Sequence, residues 1–365
     1  MMIKSDCVYF RGDKPCKFNR LCEGCPDYEP FAKRILIIKG RAQGDVLRTT
    51  ALLPGLKRKF PHSHISWLVD EESKDLLGNN PYVDKVICFR LEEMLPLLVE
   101  KFNVLISLDK EAPSTSLATK IFSSQKFGFG MNEYGNLTIF NKASEYAYRL
   151  GIDDELKFYQ NKKTYQEIIY EIAEIEYKND EYVFRLREED KKKAKEFLKK
   201  NKIPKNRIAV GLNTGAGTKF ETKQWPKQRY LDLISDLSNQ LQANVFLLGG
   251  SREKKFNDSL EKKSKHRVYN TGSNNSLLEF AGFIFLMDLV VCSDTLGMHL
   301  AIGLGKKVIA LFGSTCPQEI ELYKRGTKLF AGVSCSPCYK QSCPDMKCMK
   351  DITSEQVLEE IKKII

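Results

Sequence analysis

Short apolar runs recur along the chain, each followed by a polar or glycine-bearing turn and then by apolar residues at helical spacing. The first run covers 35–38. Gly40-Arg41-Ala42-Gln43-Gly44-Asp45 follows it, and Val46, Leu53, Leu56 and Phe60 then keep a helical period up to Pro61. Runs at 65–69, 86–89 and 104–108 read as further strands, with a short helix at Leu76-Leu77, a turn at Asn79-Asn80-Pro81 and a helix over 91–101. From 142 to 170 the period is helical, interrupted at Gly151 and Asn161, and the charged stretch 188–201 reads as a solvated helix ending before Pro204. The strand rhythm restarts at 208–212 and continues through 245–248, 289–292 and 308–312, with helices predicted over 229–240 and 277–284. Thr353-x-x-Gln356 fits a capping box for a last helix whose apolar face carries Val357, Leu358, Ile361 and Ile365, a helix able to bridge two domains. This alternation predicts an α/β protein with doubly wound parallel sheets, in two halves that each begin with strand, glycine turn and helix.

Length agrees with two halves, because 365 residues exceed what one core of ordinary size organises. The expected division is a Cys-rich segment over 1–30, a first domain over 31–177, a second over 178–334, and a Cys-rich loop with the last helix over 335–365. Hydrophobic residues at 42% and charged residues at 29% describe a soluble globular protein. No apolar stretch approaches the roughly 20 residues that span a bilayer, and the first residues lack a secretory h-region, so a cytoplasmic location is expected. A net charge of +11 predicts attraction to nucleic acid, anionic lipid or a phosphorylated substrate. The absence of an RNP motif or recognition-helix pattern argues against nucleic acid and leaves peripheral contact with an acidic membrane surface open.

Eight of the eleven cysteines fall into two quartets, Cys7-x8-Cys16-x5-Cys22-x2-Cys25 and Cys335-x2-Cys338-x4-Cys343-x4-Cys348. The first lies in a turn-rich segment that cannot build a hydrophobic core, so something covalent or metallic must hold it. A reducing cytoplasm favours metal over disulfide. Four thiolates suit a structural zinc ion or an iron–sulfur cluster, with reduced free thiols as the plain alternative. The quartets flank the chain and allow two separate sites or one composite region.

Candidate chemistry centres on the stretch Asp294-Thr295-Leu296-Gly297-Met298-His299, which continues to Gly305 between two strand-like runs. A strand, a tight turn and a helix start offer unpaired backbone N–H groups and a favourable dipole, hence an anion site, although an ordinary capped helix uses the same residues. His299 would be structural or would reach a phosphate or sugar hydroxyl. Asp45 follows the first glycine turn at the sheet edge where open α/β proteins bind ligands, so it reads as a general base or as a plain N-cap. After the turn Asn213-Thr214-Gly215-Ala216-Gly217, Lys223 reads as a phosphate partner or a solvated lysine. Glu253, beyond Gly249-Gly250, reads as a ribose or base acceptor or as a surface glutamate.

The pieces ILIIKGRAQGDVLRTTALLP (35–54), TGAG (214–217), TKQWP (222–226) and SDTLGMHLAIGLGKKVIALFG (293–313) resemble glycosyltransferase family 9, the heptosyltransferase-like enzymes of lipopolysaccharide core assembly. Residues 129–151 and the terminal CSPC segment resemble a Cys-bearing branch of that family. The resemblance implies a GT-B fold, two Rossmann-like domains facing a cleft, and an inverting transfer without catalytic cofactor from a nucleotide-sugar, typically ADP-heptose. The implied acceptor is a lipopolysaccharide-type glycolipid at the inner membrane face. By the same resemblance Asp45 is the base, and the donor site comprises Thr214, Gly215, Lys223, Glu253 and the whole of Asp294, Thr295, Leu296, Gly297, Met298 and His299. The family's D-[ST]-G-P-M-H has its glycine one position earlier than Gly297 here. A competing expectation is a non-catalytic, metal-dependent binding or sensing protein on a degenerate scaffold of this type, motivated by the cysteines.

Overall fold

Two six-stranded sheets organise the computed structural model, which describes residues 2–217 and 220–365. The first sheet has the order β3-β2-β1-β4-β5-β6, formed by β1 (Arg34–Ile38), β2 (His64–Val69), β3 (Lys85–Cys88), β4 (Lys101–Ser107), β5 (Phe122–Met131) and β6 (Leu137–Ile139). All its pairings are parallel except β5 with β6. The second sheet is parallel throughout, in the order β12-β11-β10-β7-β8-β9. Its strands are β7 (Ala209–Asn213), β8 (Asn244–Leu248), β9 (Val268–Asn270), β10 (Leu289–Ser293), β11 (Lys307–Phe312) and β12 (Gly326–Phe330). The central strands were legible because strands covered on both faces read as continuous apolar runs; Ile35, Leu36, Ile37 and Ile38 are all fully buried. This is the expected fold, two doubly wound α/β halves.

Four strands were not foreseen: β5, β6, β9 and β12. β5 opens with the polar FSSQK and is half exposed, β9 is three residues long, and β12 is a partly exposed edge, so none carries a continuous apolar signal. The helix expected over 46–60 is two, α1 (Gln43–Thr49) and α2 (Leu52–Lys59). Pro54 lacks an N–H and fits only the first turn of a helix, so a new helix starts at Leu52. The one expected over 91–101 shrinks to Leu91–Met94 and a 3-10 turn at Leu95–Leu98 holding Pro96, and Lys101 already belongs to β4.

In the second half, α3 (Lys227–Leu241), α4 (Lys254–Lys263), α5 (Leu277–Phe285) and α6 (Leu296–Gly303) cover the sheet. The final helix α7 (Ser354–Ile364) starts with the expected capping box at Thr353. It packs on α3, β11 and β12, within the second half. Trp225 anchors that corner, donating its indole N–H to the Ile352 carbonyl at 3.0 Å while fully buried. Residues 173–188 tie the halves together. The Val183 amide donates to Thr50 and its carbonyl accepts from Asn80, while Tyr182 reaches His299 and Tyr323. One buried cluster accordingly runs from Val46 and Leu47 of α1 to Met298 and Leu300 of α6.

Candidate active site

Both sheets end their strands toward the cleft between the halves, the edge where open α/β sheets bind ligands. On one wall, β1 runs into Lys39 and Gly40, Ala42 takes a left-handed φ of 59°, and α1 begins, with Asp45 in its first turn. Facing it, β10 ends at Ser293 and α6 begins at Leu296. Close packing explains two glycines: between the two helices a Cβ on Gly44 would sit 2.5 Å from the His299 ring, and between α6 and β7 one on Gly297 would sit 2.7 Å from the Asn213 side chain. Asn213 in turn donates to Thr295 Oγ1 at 2.9 Å. The glycine at position 297 is therefore required by this chain's own β7–α6 contact.

A cavity of about 560 Å³ opens between these walls and is lined by Asp45 and Arg48 on one side and by Lys223, Asp294, Thr295, Leu296 and His299 on the other. Asp45 keeps a third of its side chain exposed (33%). Its Oδ1 lies 2.9 Å from Arg48 and its Oδ2 3.6 Å from Lys39. Lys39 is buried and held more tightly by Asp109, at 2.6 Å. Burial works against the Asp45 carboxylate, but Arg48 and then Lys39 outweigh it and hold its pKa below the ordinary range. Asp45 is thus an ionised, partly exposed carboxylate. Arg48 stacks on the Tyr165 ring at 3.7 Å and reaches Glu319 at 3.8 Å.

Across the cavity, Lys223 Nζ donates to the Asp294 carbonyl and carboxylate, both at 2.9 Å. Burial opposes the Asp294 charge and Lys223 more than compensates, leaving its pKa lowered. No side chain caps the first turn of α6, since Thr295 Oγ1 donates to the Ser293 carbonyl instead. His299 Nδ1 lies 3.2 Å from the Tyr182 hydroxyl, and its Nε2 lies 4.0 Å from Asp294. Burial and then Arg48 push its pKa down to about 4, so it is a neutral hydrogen-bonding group and not a cation.

A second cavity of about 330 Å³ adjoins the first and is lined by Gly215, Arg252, Glu253, Ser276, Leu296 and Gly297. Glu253 Oε2 accepts the Gly250 N–H at 2.8 Å, which seats its carboxylate over the glycine turn. Asp45, Lys223, Glu253, Gly215, Asp294, Thr295, Leu296, Gly297 and His299 are therefore brought to one continuous cleft. Two named residues are not. Thr214 is buried, its hydroxyl spent on Asn257 at 2.6 Å. Met298 lies in the core: two positions along a helix from Leu296 is about 200° of rotation, the opposite face. Lys39, Arg48, Arg252 and Glu319 escaped the sequence reading. Arg48 alone had a signal, three residues after Asp45 on the same helix.

Each cysteine quartet lines a cavity of its own, about 220 Å³ for Cys7, Cys16, Cys22 and Cys25 and about 400 Å³ for Cys335, Cys338, Cys343 and Cys348. All eleven cysteines are unpaired. Among the described residues, no three Cys, His, Asp or Glu side chains converge tightly enough to hold one metal ion. The C-terminal loop adjoins the cleft. Cys338 and Tyr339 donate their N–H groups to the Ser314 carbonyl, Thr222 donates to the Lys340 carbonyl at 2.7 Å, and Tyr339 lines the wall.

Comparison with known proteins agrees with this geometry. The model of glycosyltransferase family 9 (heptosyltransferase) matches residues 96–349. Lipopolysaccharide heptosyltransferase 1 of Campylobacter coli is 25% identical over 306 residues, covering 77% of this chain and 84% of that protein. The crystal structure of a family 9 glycosyl transferase from Veillonella parvula superposes with a TM-score of 0.73 at 20% identity, over 92% of this chain and 98% of that one. The E. coli ADP-heptose lps heptosyltransferase II gives 0.67 at 18% identity, over 91% and 98%. At these identities the two structures establish the GT-B fold.

Proposed function

The chain belongs to glycosyltransferase family 9 and is a glycosyltransferase, and from that premise we propose that it carries a heptose from ADP-heptose to a lipopolysaccharide-core acceptor with inversion at the transferred carbon. The observation that carries the reading is the position of Asp45, an ionised and partly exposed carboxylate facing an uncapped helix start across one cavity. Inversion needs the acceptor hydroxyl and the leaving diphosphate on opposite faces of the sugar. Asp45 takes the hydroxyl proton as the oxygen attacks. The first-turn N–H groups of α6 meet the charge that develops on the departing phosphate.

Lys223 serves the same charge. Its ammonium has three N–H donors and spends two contacts on Asp294, leaving one for a phosphate oxygen. Neutral His299 contributes a hydrogen bond. Glu253, beside Gly215 and Arg252, faces the nucleoside. The transfer needs no cofactor. Cys335, Cys338, Cys343 and Cys348 line one cavity, and a structural zinc or iron–sulfur centre there would draw these thiols together and pin the loop carrying Tyr339 beside Thr222 and Lys223. The basic surface favours a phosphate-bearing glycolipid acceptor and peripheral contact with the cytoplasmic face of the inner membrane. Among the described residues no helix is long and apolar enough to cross a membrane.

The test is transfer itself. Purified protein is incubated with a heptose-free core acceptor and ADP-heptose or UDP-, GDP- or dTDP-hexoses, and the product's anomeric configuration is read by NMR. Turnover with ADP-heptose alone and inverted configuration are expected. A retained configuration, or a preference for another nucleotide, contradicts the proposal.

A further inference from the structure

The N-terminal segment is ordered without a hydrophobic core of its own. None of residues 2–33 is buried, and its only ladder is an isolated bridge between Cys7 and Pro30. Its side-chain ties, among them Tyr9 to Glu29, Tyr28 to Asp6 and Arg20 to Asp27, are exposed and so contribute little. About thirty residues of this composition do not stay ordered by packing and need a staple. Disulfides are not the staple, since the four cysteines are unpaired.

The cysteines themselves sit at the turns. Phe10 N–H donates to the Cys7 carbonyl, Asn19 N–H to Cys16, Cys25 N–H to Cys22 and Tyr28 N–H to Cys25, at 2.9 to 3.4 Å. These turns bring all four cysteines to the wall of one cavity of about 220 Å³, far more than a single ion or water fills. Yet no three of them close on a common point at single-ion distance. Four thiols around a space, too far apart for one ion, match a multi-atom inorganic core bridging the gap. The charged lining of the same cavity, Lys4, Lys14, Arg20 and Asp27, is net positive, opposite in sign to a thiolate-ligated cluster.

We infer that Cys7, Cys16, Cys22 and Cys25 hold a [4Fe–4S] cluster that folds the N-terminal segment. Its position separates it from sugar transfer. The segment docks on the amino ends of the first sheet, where Phe31 stacks edge-on against His64 at 5.0 Å and Arg34 lies over Phe31. The cleft lies at the carboxyl ends, so the cluster serves structure and its presence does not depend on which sugar is transferred.

The test uses the full chain purified without oxygen. Iron, acid-labile sulfide and zinc are measured, and cysteines are alkylated before and after the cluster is stripped with ferricyanide and chelator, then mapped by mass spectrometry. Residue-resolved protection separates this site from the C-terminal quartet without any substitution. Cys7, Cys16, Cys22 and Cys25 should be protected together, become reactive on stripping, and account for about four iron and four sulfide. Cys16→Ser with Cys22→Ser should lower iron and sulfide by that amount while transfer activity is kept. Free reactivity of these cysteines as purified, zinc in place of iron, or iron and sulfide unchanged in the variant would each overturn the inference.

Discussion

Asp45 and Asp294 stand on facing walls of one cleft, one in each half. Each follows a central strand, each stands at the start of a helix, and each has a lysine partner. Their surroundings give them different work. Lys39, the lysine beside Asp45, belongs first to Asp109 at 2.6 Å and only then to Asp45 at 3.6 Å, so a third of the Asp45 side chain stays open to the cleft. Lys223 instead grips both the backbone and the carboxylate of Asp294 at 2.9 Å, leaving 18% of that side chain exposed. One carboxylate, held at Oδ1 by Arg48 at 2.9 Å and only loosely at Oδ2 by Lys39, can still accept a proton; the other braces a lysine and a helix start. On the proposed mechanism, the same strand–turn–helix signature yields a base or a brace according to who holds it.

The largest effect is expected from removing the proposed base. Asp45→Asn should lower kcat by about 10²- to 10⁴-fold, measured as transfer at saturating donor. Loosening the brace comes next. Lys223→Met should cost on the order of 10²-fold in kcat/KM, because a preorganised donor to the leaving phosphate is lost and Asp294 is left buried without its partner. Gly297→Ala sharpens the comparison from the side of packing. Its Cβ would press on Asn213, so thermal denaturation should show a loss of about 1–3 kcal/mol, with weaker donor binding.

The smallest effect is a slope with pH. His299 is held at a pKa of about 4 against an ordinary 6.5, so the unfolded chain binds its proton first as pH falls. Stability should therefore decline as pH drops from about 6.5 to about 4, and His299→Gln should remove that part of the decline in urea titrations. A slope unchanged in the variant would locate the proton uptake elsewhere.

How much of this was legible follows from the same physics. Asp45 and the 294–299 stretch could be read because strand, glycine turn and helix are local features, and two glycine turns in one chain point to two sheet edges. Lys39, Asp109 and Glu319 could not, because the fold alone brings residues so far apart in the chain into one charge network. Thr214 and Met298 were included as members of their motifs, and the direction of their side chains then excluded them from the cleft. Eight strands declared themselves as apolar runs, while β5, β6, β9 and β12 depend on a neighbour for their pairing and show no continuous run. The terminal helix was marked by its cap, but its packing partner was set by Trp225 and α3, which no local signal names.

The division of labour between base and brace is tested most directly by measuring ADP affinity calorimetrically and single-turnover transfer on the same preparations of Asp45→Asn and Asp294→Asn. Asp45→Asn should bind ADP as the unaltered chain does and fail to transfer, whereas Asp294→Asn should bind ADP about tenfold or more weakly and still transfer once saturated. An Asp45→Asn protein that transfers at the unaltered rate, or that loses ADP binding as its main defect, would contradict the account.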